Sequence, residues 1–351
     1  PGSSFTSVVF GRDTAAEGDF PAILELGPVF LDGQNGFSFE GPGSTSVSDA
    51  GDVNGDGVSD VIIGSSEADP NGEDSGESYV VFGRDTAVEG DFPAIFELSD
   101  LDGANGFSLR GATAETFSGT SVSGADDINA DGVADVVIGA FGADPNGDRS
   151  GASYVVFGKD TASDGDFPAS IELSALNGSD GFVLNGVSAE DVSGTSVSDA
   201  GDVNGDGIAD LLIGGPGADP NGDRSGTSYV VFGQNTQVTG DFPATFELSA
   251  IDGSNGFRLH GEGLSNRDRS GFSVSDAGDI NDDGHEVVVI GSPGANRSYV
   301  VYGKDTVSDG NFPADLNLSS LDGSNGFVLN GVSGGDGAGK VSGAGDINHD
   351  G

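Results

Sequence analysis

The hexapeptide Ser-Tyr-Val-Val-Phe-Gly begins at Ser78, Ser153 and Ser228, returns as Ser-Tyr-Val-Val-Tyr-Gly at Ser298, and has a degenerate copy, Thr-Ser-Val-Val-Phe-Gly, at Thr6. Val80, Val155, Val230 and Val300 of the four full copies stand 75, 75 and 70 residues apart. Self-similarity at a fixed interval makes the fold a succession of like units, and it has to be read before any single motif. Each interval carries the same script in the same order: Gly-Asp/Asn-Phe-Pro-Ala, then Glu-Leu-Ser or a variant, then Leu-Asp-Gly-x-Asn-Gly-Phe or a variant, then Ser-Val-Ser or Lys-Val-Ser, then an acidic glycine-rich phrase, then an apolar run ending in Ile-Gly.

Each unit reads as four short strands. The Ser-Val-Ser segment and the apolar run after the acidic phrase (DVIIG, DVVIG, DLLIG, VVVIG) supply the first two, SYVVFG the third, and GFSLRG, GFVLNG or GFRLHG the fourth. The last alternates apolar and polar residues as a half-buried strand requires. Asp-Pro-Asn-Gly at Asp69–Gly72, Asp144–Gly147 and Asp219–Gly222 sets fixed and then positive φ, the chemistry of a tight turn. One such blade cannot cover both of its faces, but blades stacked radially can, and this predicts an all-β chain: a β-propeller of four-stranded antiparallel blades with about five repeat units. The units fall at 1–44 (partial), 45–118, 119–193, 194–271, 272–338 and 339–351 (partial), within a single propeller or a segment of one. The two partial units leave room for a five-bladed ring sealed by its termini; a piece of a longer protein is the preferred expectation, and Pro1 reads as the start of a mature or excised chain. Phe20, Phe92, Phe167 and Phe242 of the Asp-Phe-Pro-Ala phrase are expected to pin the connection between third and fourth strands against the blade edge.

Composition fits this picture and narrows the partners. Glycine, at 63 of 351 residues, is far above the roughly 7% of ordinary chains, as many tight turns demand. There is no cysteine, which removes disulfides and thiolate chemistry, and no apolar run approaches the length of a membrane span. Twelve basic against 58 acidic residues give a net charge of −46. Nucleic acid and anionic membrane surfaces are disfavoured by that charge and cations are favoured, although a saline habitat would also account for many of the carboxylates.

The acidic phrase falls in the loop between the first and second strands. It places Asp, Asn, Asp and Asp at positions 1, 3, 5 and 9, with glycine at position 6 for the bend, which is the front of a calcium loop of EF-hand type; position 7 adds a backbone carbonyl. Calcium takes about six to eight oxygens, which such a loop with water can supply. Three copies are complete: Asp52, Asn54, Asp56 and Asp60 with the carbonyl of Val58; Asp127, Asn129, Asp131 and Asp135 with that of Val133; and Asp202, Asn204, Asp206 and Asp210 with that of Ile208. The fourth keeps Asp279, Asn281 and Asp283, with His285 at position 7, but Val287 replaces the closing Asp, and Glu286, one residue early, points away in a regular strand. That site is expected to be weaker. The fifth has Asp346, Asn348 and Asp350 before the sequence stops at Gly351. Hairpin chemistry alone explains the glycines but not the further oxygens at constant spacing, since gathered carboxylates repel one another without a cation. Calcium is therefore expected, one ion per intact loop, ahead of magnesium.

Phe82-Gly83, Phe157-Gly158 and Phe232-Gly233, together with IGGPGAD at 213–219, IGAFGAD at 138–144 and IGSPGA at 290–295, resemble the FG-GAP repeat of integrin α-subunit propellers. The near identity of the units is similar to bacterial surface proteins with integrin-like repeats. The resemblance implies a calcium-stabilised propeller outside the cell or on its surface, an adhesion or scaffold module that meets a protein or matrix partner, or another copy of itself, through a disc face. It does not carry over a defined ligand: Arg-Gly-Asp is absent, and Gly-Arg-Asp occurs only in reverse order at Gly11–Asp13 and Gly83–Asp85. An enzyme is not expected, because His260, His285 and His349 sit in no triad pattern, and the last two read as fillers of ion loops. A glycan-binding propeller is the alternative; it calls for a repeated exposed aromatic, preferably Trp, and Trp is absent. A non-catalytic propeller domain of a larger secreted enzyme is the second alternative.

Overall fold

The computed structural model describes residues 4–11, 22–26, 30–43, 45–264, 267–333 and 337–344. Its strands in chain order are β1 (Ser4–Val9), β2 (Gly36–Gly41), β3 (Ser46–Gly51), β4 (Asp60–Ser65), β5 (Glu77–Val81), β6 (Ile95–Glu97), β7 (Gly106–Arg110), β8 (Ser121–Gly124), β9 (Val136–Ala140), β10 (Ala152–Val156) and β11 (Ser170–Glu172). They continue with β12 (Gly181–Asn185), β13 (Ser196–Gly201), β14 (Asp210–Gly215), β15 (Thr227–Val231), β16 (Thr245–Glu247), β17 (Gly256–His260), β18 (Ser273–Asp276), β19 (Val287–Ser292), β20 (Arg297–Tyr302), β21 (Asp315–Asn317) and β22 (Gly326–Asn330). Among the described residues helix is confined to single turns such as Thr86–Glu89 and Thr161–Asp164, opened by Asp85 and Asp160, whose carboxylates accept an amide of the first turn. The chain is all-β.

Three units form the sheets β3-β4-β5-β7-β11, β8-β9-β10-β12-β16 and β13-β14-β15-β17-β21; they are flanked by β1-β2-β6 and β18-β19-β20-β22. The first four strands of each complete sheet are antiparallel neighbours, as the sequence predicts. The fifth strand departs from that reading. β11, from the segment after Asp-Phe-Pro-Ala, runs parallel to β7 of the preceding unit, Ser170 against Ser108 and Glu172 against Arg110. β6, β16 and β21 make the same addition to β2, β12 and β17. Three residues are too short a signal to separate from a loop by periodicity, and each unit thereby covers the edge of the one before it.

The cores lie between consecutive sheets. Ile62, Val80 and Phe107 pack with Val136, Ile138 and Tyr154 of the next unit, whereas Ile63 and Tyr79, one residue away on the same strands, pack with Phe37 and Phe39 of the unit before. Alternation along a strand sends successive side chains to opposite faces, so an unbroken apolar run such as DVIIG serves two cores at once. Each fully buried Ile or Val contributes about 1.5–3 kcal/mol. The phenylalanines of the Asp-Phe-Pro-Ala phrase and of its Asn-Phe-Pro-Ala copy belong to this packing: Phe92 stacks on Phe37 at 4.2 Å, Phe167 on Phe107 at 4.4 Å, Phe242 on Phe182 at 4.3 Å and Phe312 on Phe257 at 4.2 Å, in every case across two units. The chain passes close there: a side chain on Gly103, at φ +98°, would collide with the carbonyl oxygen of Phe167. Phe20 lies outside the described residues.

The first strands stand beside one another from unit to unit, tied by serines of the Ser-Val-Ser phrase. Ser46 Oγ accepts from the Val122 amide at 3.2 Å, Ser121 Oγ from Val197 at 3.0 Å and Ser196 Oγ from Val274 at 3.0 Å. Lys340-Val341-Ser342, read from sequence as another first strand, form no strand, but the Val341 and Gly343 amides donate to Ser273 and Ser275 Oγ in the same manner. Among the described residues β1 pairs only with β2, and no ladder joins the two ends of the chain into a ring.

Candidate metal centres

The acidic loops join β3 to β4, β8 to β9, β13 to β14 and β18 to β19, as expected. Their first half is a turn held by its own side chains. Asp52 accepts from the amides of Asp56 (3.0 Å) and Gly57 (2.7 Å), Asn54 Oδ1 from Asp56 (2.8 Å) and Asp56 from Val58 (2.8 Å). Asp127, Asn129 and Asp131 repeat this with the amides of Asp131, Gly132 and Val133. Asp202 takes the amides of Gly205, Asp206 and Gly207, and Asp206 that of Ile208. Here Asn204 Oδ1 is buried and accepts no hydrogen bond from a described residue.

The closing acids are set apart by burial. Asp60, Asp135 and Asp210 open the second strand of their units at 1%, 0% and 0% exposure. Each spans two amides: Asp60 accepts from Val53 (2.9 Å) and Gly83 (2.8 Å), Asp135 from Ile128 (3.1 Å) and Gly158 (2.8 Å), and Asp210 from Val203 and Gly233 (both 3.0 Å). The glycine of each Phe-Gly pair therefore anchors the loop, a role that sequence reading missed although the recurrence of the pair was its signal. Burial pushes the Asp60 carboxyl up to about 7 and those of Asp135 and Asp210 well above the carboxylate range, and the other two acids of each loop push the same way. Among the described residues no Lys, Arg or His forms an ion pair with any of the three.

Each complete loop is also covered by the next unit. The Lys159 and Thr161 amides donate to the carbonyls of Val53 and Asn54, Gln234 and Thr236 to those of Ile128 and Asn129, and Lys304 and Thr306 to those of Val203 and Asn204, at 2.9–3.0 Å. Asn54, Asn129 and Asn204 are buried as a result. The fourth loop keeps the turn: Asp279 accepts from Asp283 and Gly284, and Asp283 from His285. Val287 is buried where the closing acid would stand, Asn281 is exposed, and Ile280 is 51% exposed. Glu286 lies against Gly201 of the preceding unit, and His285 leans on Gly205 with Nδ1 buried and, among the described residues, unpaired. Asp346, Asn348 and Asp350 lie outside the described residues.

Among the described residues no three Asp, Glu or His side chains are gathered about one point. The loop acids are turned onto loop amides, so an ion held here would draw on mixed oxygens, and each carboxylate oxygen that accepts one amide keeps a second lone pair. The buried Asn204 Oδ1 without a donor and the uncompensated closing acids fit a hard cation.

Comparison with known proteins gives two results. The FG-GAP repeat model matches residues 45–81 and 194–231, each running from the first strand of a unit through its acidic loop to the third strand. A phosphatidylinositol-glycan-specific phospholipase D of Dictyostelium discoideum is 27% identical over 316 residues, covering 88% of this chain. The match takes in 30% of the relative, so the chain spans less than a third of the length of that protein. Repeat interval, sheet order and these matches agree: the chain carries FG-GAP repeats.

Proposed function

We propose that this chain is a calcium-stabilised β-propeller module, working outside the cell or on its surface as an adhesion or scaffold element that contacts a protein or matrix partner. The observation that carries the calcium reading is the burial of Asp60, Asp135 and Asp210, each with two further acids of its loop nearby and, among the described residues, no cationic side chain paired with it. Bound calcium supplies the missing positive charge. The residues that would hold it are Asp52, Asn54, Asp56, Asp60 and the Val58 carbonyl in the first loop, and their counterparts in the second and third. Since each loop lies beneath the next unit, an ion would stiffen the joint between blades as well as the loop. Equilibrium dialysis should count three calcium ions per chain from the complete loops, and Asp206→Ala should remove one; a chain that binds none overturns the reading.

The radial arrangement is supported by the first strands standing side by side and by the cores between sheets. A protein partner is favoured over a glycan because the repeated Phe rings are buried between units, which leaves no repeated aromatic platform among the described residues. The similarity to part of a phospholipase D favours one further reading, a non-catalytic module of a larger protein. Cleavage of a phosphatidylinositol-glycan anchor by this chain alone would overturn it.

A further inference from the structure

The ends of the sheets away from the ion loops hold a second feature. Where three consecutive units meet, Phe141, Arg149, Glu190, Arg224, Arg269 and Phe272 line a cavity of about 230 Å³. Phe141 directly follows β9, whose other end is the ion loop, which places the cavity on the opposite side. We propose that this cavity binds a phosphate monoester with an aromatic or apolar flank, an assignment independent of the calcium reading.

Charge is the first argument. A chain with 12 basic and 58 acidic residues brings three arginines into one cavity beside a single lining acid, Glu190. Among the lining residues the balance is that of two positive charges, which a phosphate monoester, carrying about −1.5 to −2 at neutral pH, neutralises. Guanidinium forks match its oxygens in pairs.

Backbone conformation is the second. Arg149 and Arg224 hold φ +50° and +49° in the turn between second and third strands, where Asp74 of the preceding unit holds +52°. Arg269 holds +55° between units, where Phe117 and Val192 hold +52° and +48°. The turns form equally with Asp, Phe or Val, so they do not call for arginine. The left-handed region favours Asn and Asp over long side chains, so backbone preference does not account for three arginines there.

Partner accounting is the third. Arg224 meets Glu190 at 3.8 Å with both side chains substantially exposed, a weak pair. The Arg149 guanidinium lies 5.3 Å from the Phe141 ring centre, and that ring stacks on Phe117 at 5.1 Å. Arg269 makes no side-chain hydrogen bond or ion pair with a described residue. Arg269 pairs with no described residue and the contacts of Arg149 and Arg224 are weak, so the forks can turn to a ligand, while Phe141 and Phe272 offer it an apolar wall.

Isothermal titration of the whole chain with phenyl phosphate, inorganic phosphate and benzoate tests this. Phenyl phosphate should bind at least about tenfold more tightly than either of the others, the aromatic flank and the double charge each contributing on the order of one such factor. Arg269→Gln should weaken it by about tenfold, and Arg269→Lys, which keeps the charge and loses the fork, by nearly as much. Arg110→Gln, at an edge remote from the cavity, should leave it unchanged, with unfolding midpoints showing that all variants fold. The proposal is overturned if phenyl phosphate does not bind, if benzoate binds as tightly, or if Arg269→Gln and Arg224→Gln both bind undiminished.

Discussion

The third and fourth acidic loops begin alike and end differently. Asp202 and Asp279 both accept the amides of the residues four and five positions on, and the chain turns in the same way in each. At the ninth position both backbones stay in the ladder, Asp210 against Gly201 and Val287 bonded to Ala277 and Gly278, but the Asp210 carboxylate is buried across two amides where Val287 buries an apolar side chain. The turn is thus complete without the closing acid. A buried carboxylate that the turn does not require, set among other carboxylates, costs stability unless something positive meets it. The contrast separates what the phrase does as a hairpin from what it is placed to do with an ion, and it can be attacked directly.

The largest effect is removal of calcium. Ligand at a hundred times its dissociation constant stabilises the folded state by about 2.7 kcal/mol per site. Three sites in a chain of this size correspond to a fall in Tm of roughly 10 °C on adding chelator, from an unfolding entropy of about 2.1 cal/mol/K per residue. An unchanged calorimetric midpoint would leave the closing acids without a purpose and break the comparison.

Next is the exchange of the two ends. Asp210→Val makes the third loop resemble the fourth but strands the Val203 and Gly233 amides, at about 1–3 kcal/mol each. The urea midpoint should drop accordingly and the ion count fall by one. Val287→Asp should do the reverse in part. It should lower stability in chelator, through a buried unpaired charge, and add a calcium ion weaker than the others, because no described segment covers Ile280 and Asn281. A variant as stable in chelator as the parent would show that burial at this position carries no electrostatic cost.

A pH series sharpens the same point. In chelator Asp60 titrates near 7 when folded against about 3.8 when unfolded, so the folded state binds the proton more tightly. Its contribution is complete below about 4 and is lost as pH rises through 7. Stability of the chelated protein should therefore fall over that window, and saturating calcium, which favours the ionised form, should flatten or reverse the trend. A chelated protein that grows more stable from pH 4 to 7 contradicts it.

What the sequence disclosed and what it concealed divide along physical lines. The four strands, their order and the loop positions were legible because each leaves a local signature: β-branched runs, Asp-Pro-Asn-Gly turns, and the Asp-x-Asn-x-Asp-Gly spacing. Everything that crosses from one unit to the next was not. The three-residue strands at 95–97, 170–172, 245–247 and 315–317 are too short to declare themselves, and the serines of Ser-Val-Ser read as strand residues with no hint that they tie neighbouring first strands. The threonine three residues past the glycine of the Phe-Gly or Tyr-Gly pair, at Thr161, Thr236 and Thr306, gave no sign that its place is on the ion loop of the preceding unit. Contacts between repeats leave no periodicity inside one repeat, and only their recurrence betrays them.

That threonine gives the smallest test and the one that asks whether loop and joint are a single device. Thr161 Oγ1 donates to the Asn54 carbonyl at 3.1 Å, beside its own amide, and Thr306 does the same to Asn204; no described residue does so for Asn281. Thr161→Val keeps the shape and the amide but deletes the hydroxyl, a loss of about 1 kcal/mol for one hydrogen bond. If the ion stiffens the joint, calcium affinity at the first loop should fall several-fold while the second and third loops stay as they were, since the energy lost at the joint is drawn from the ion's own binding. Terbium luminescence titrations resolved with Asp131→Ala and Asp206→Ala backgrounds would isolate the first site. An unchanged affinity there, with stability lowered equally with and without calcium, would mean that the covered loops differ from the fourth in packing alone.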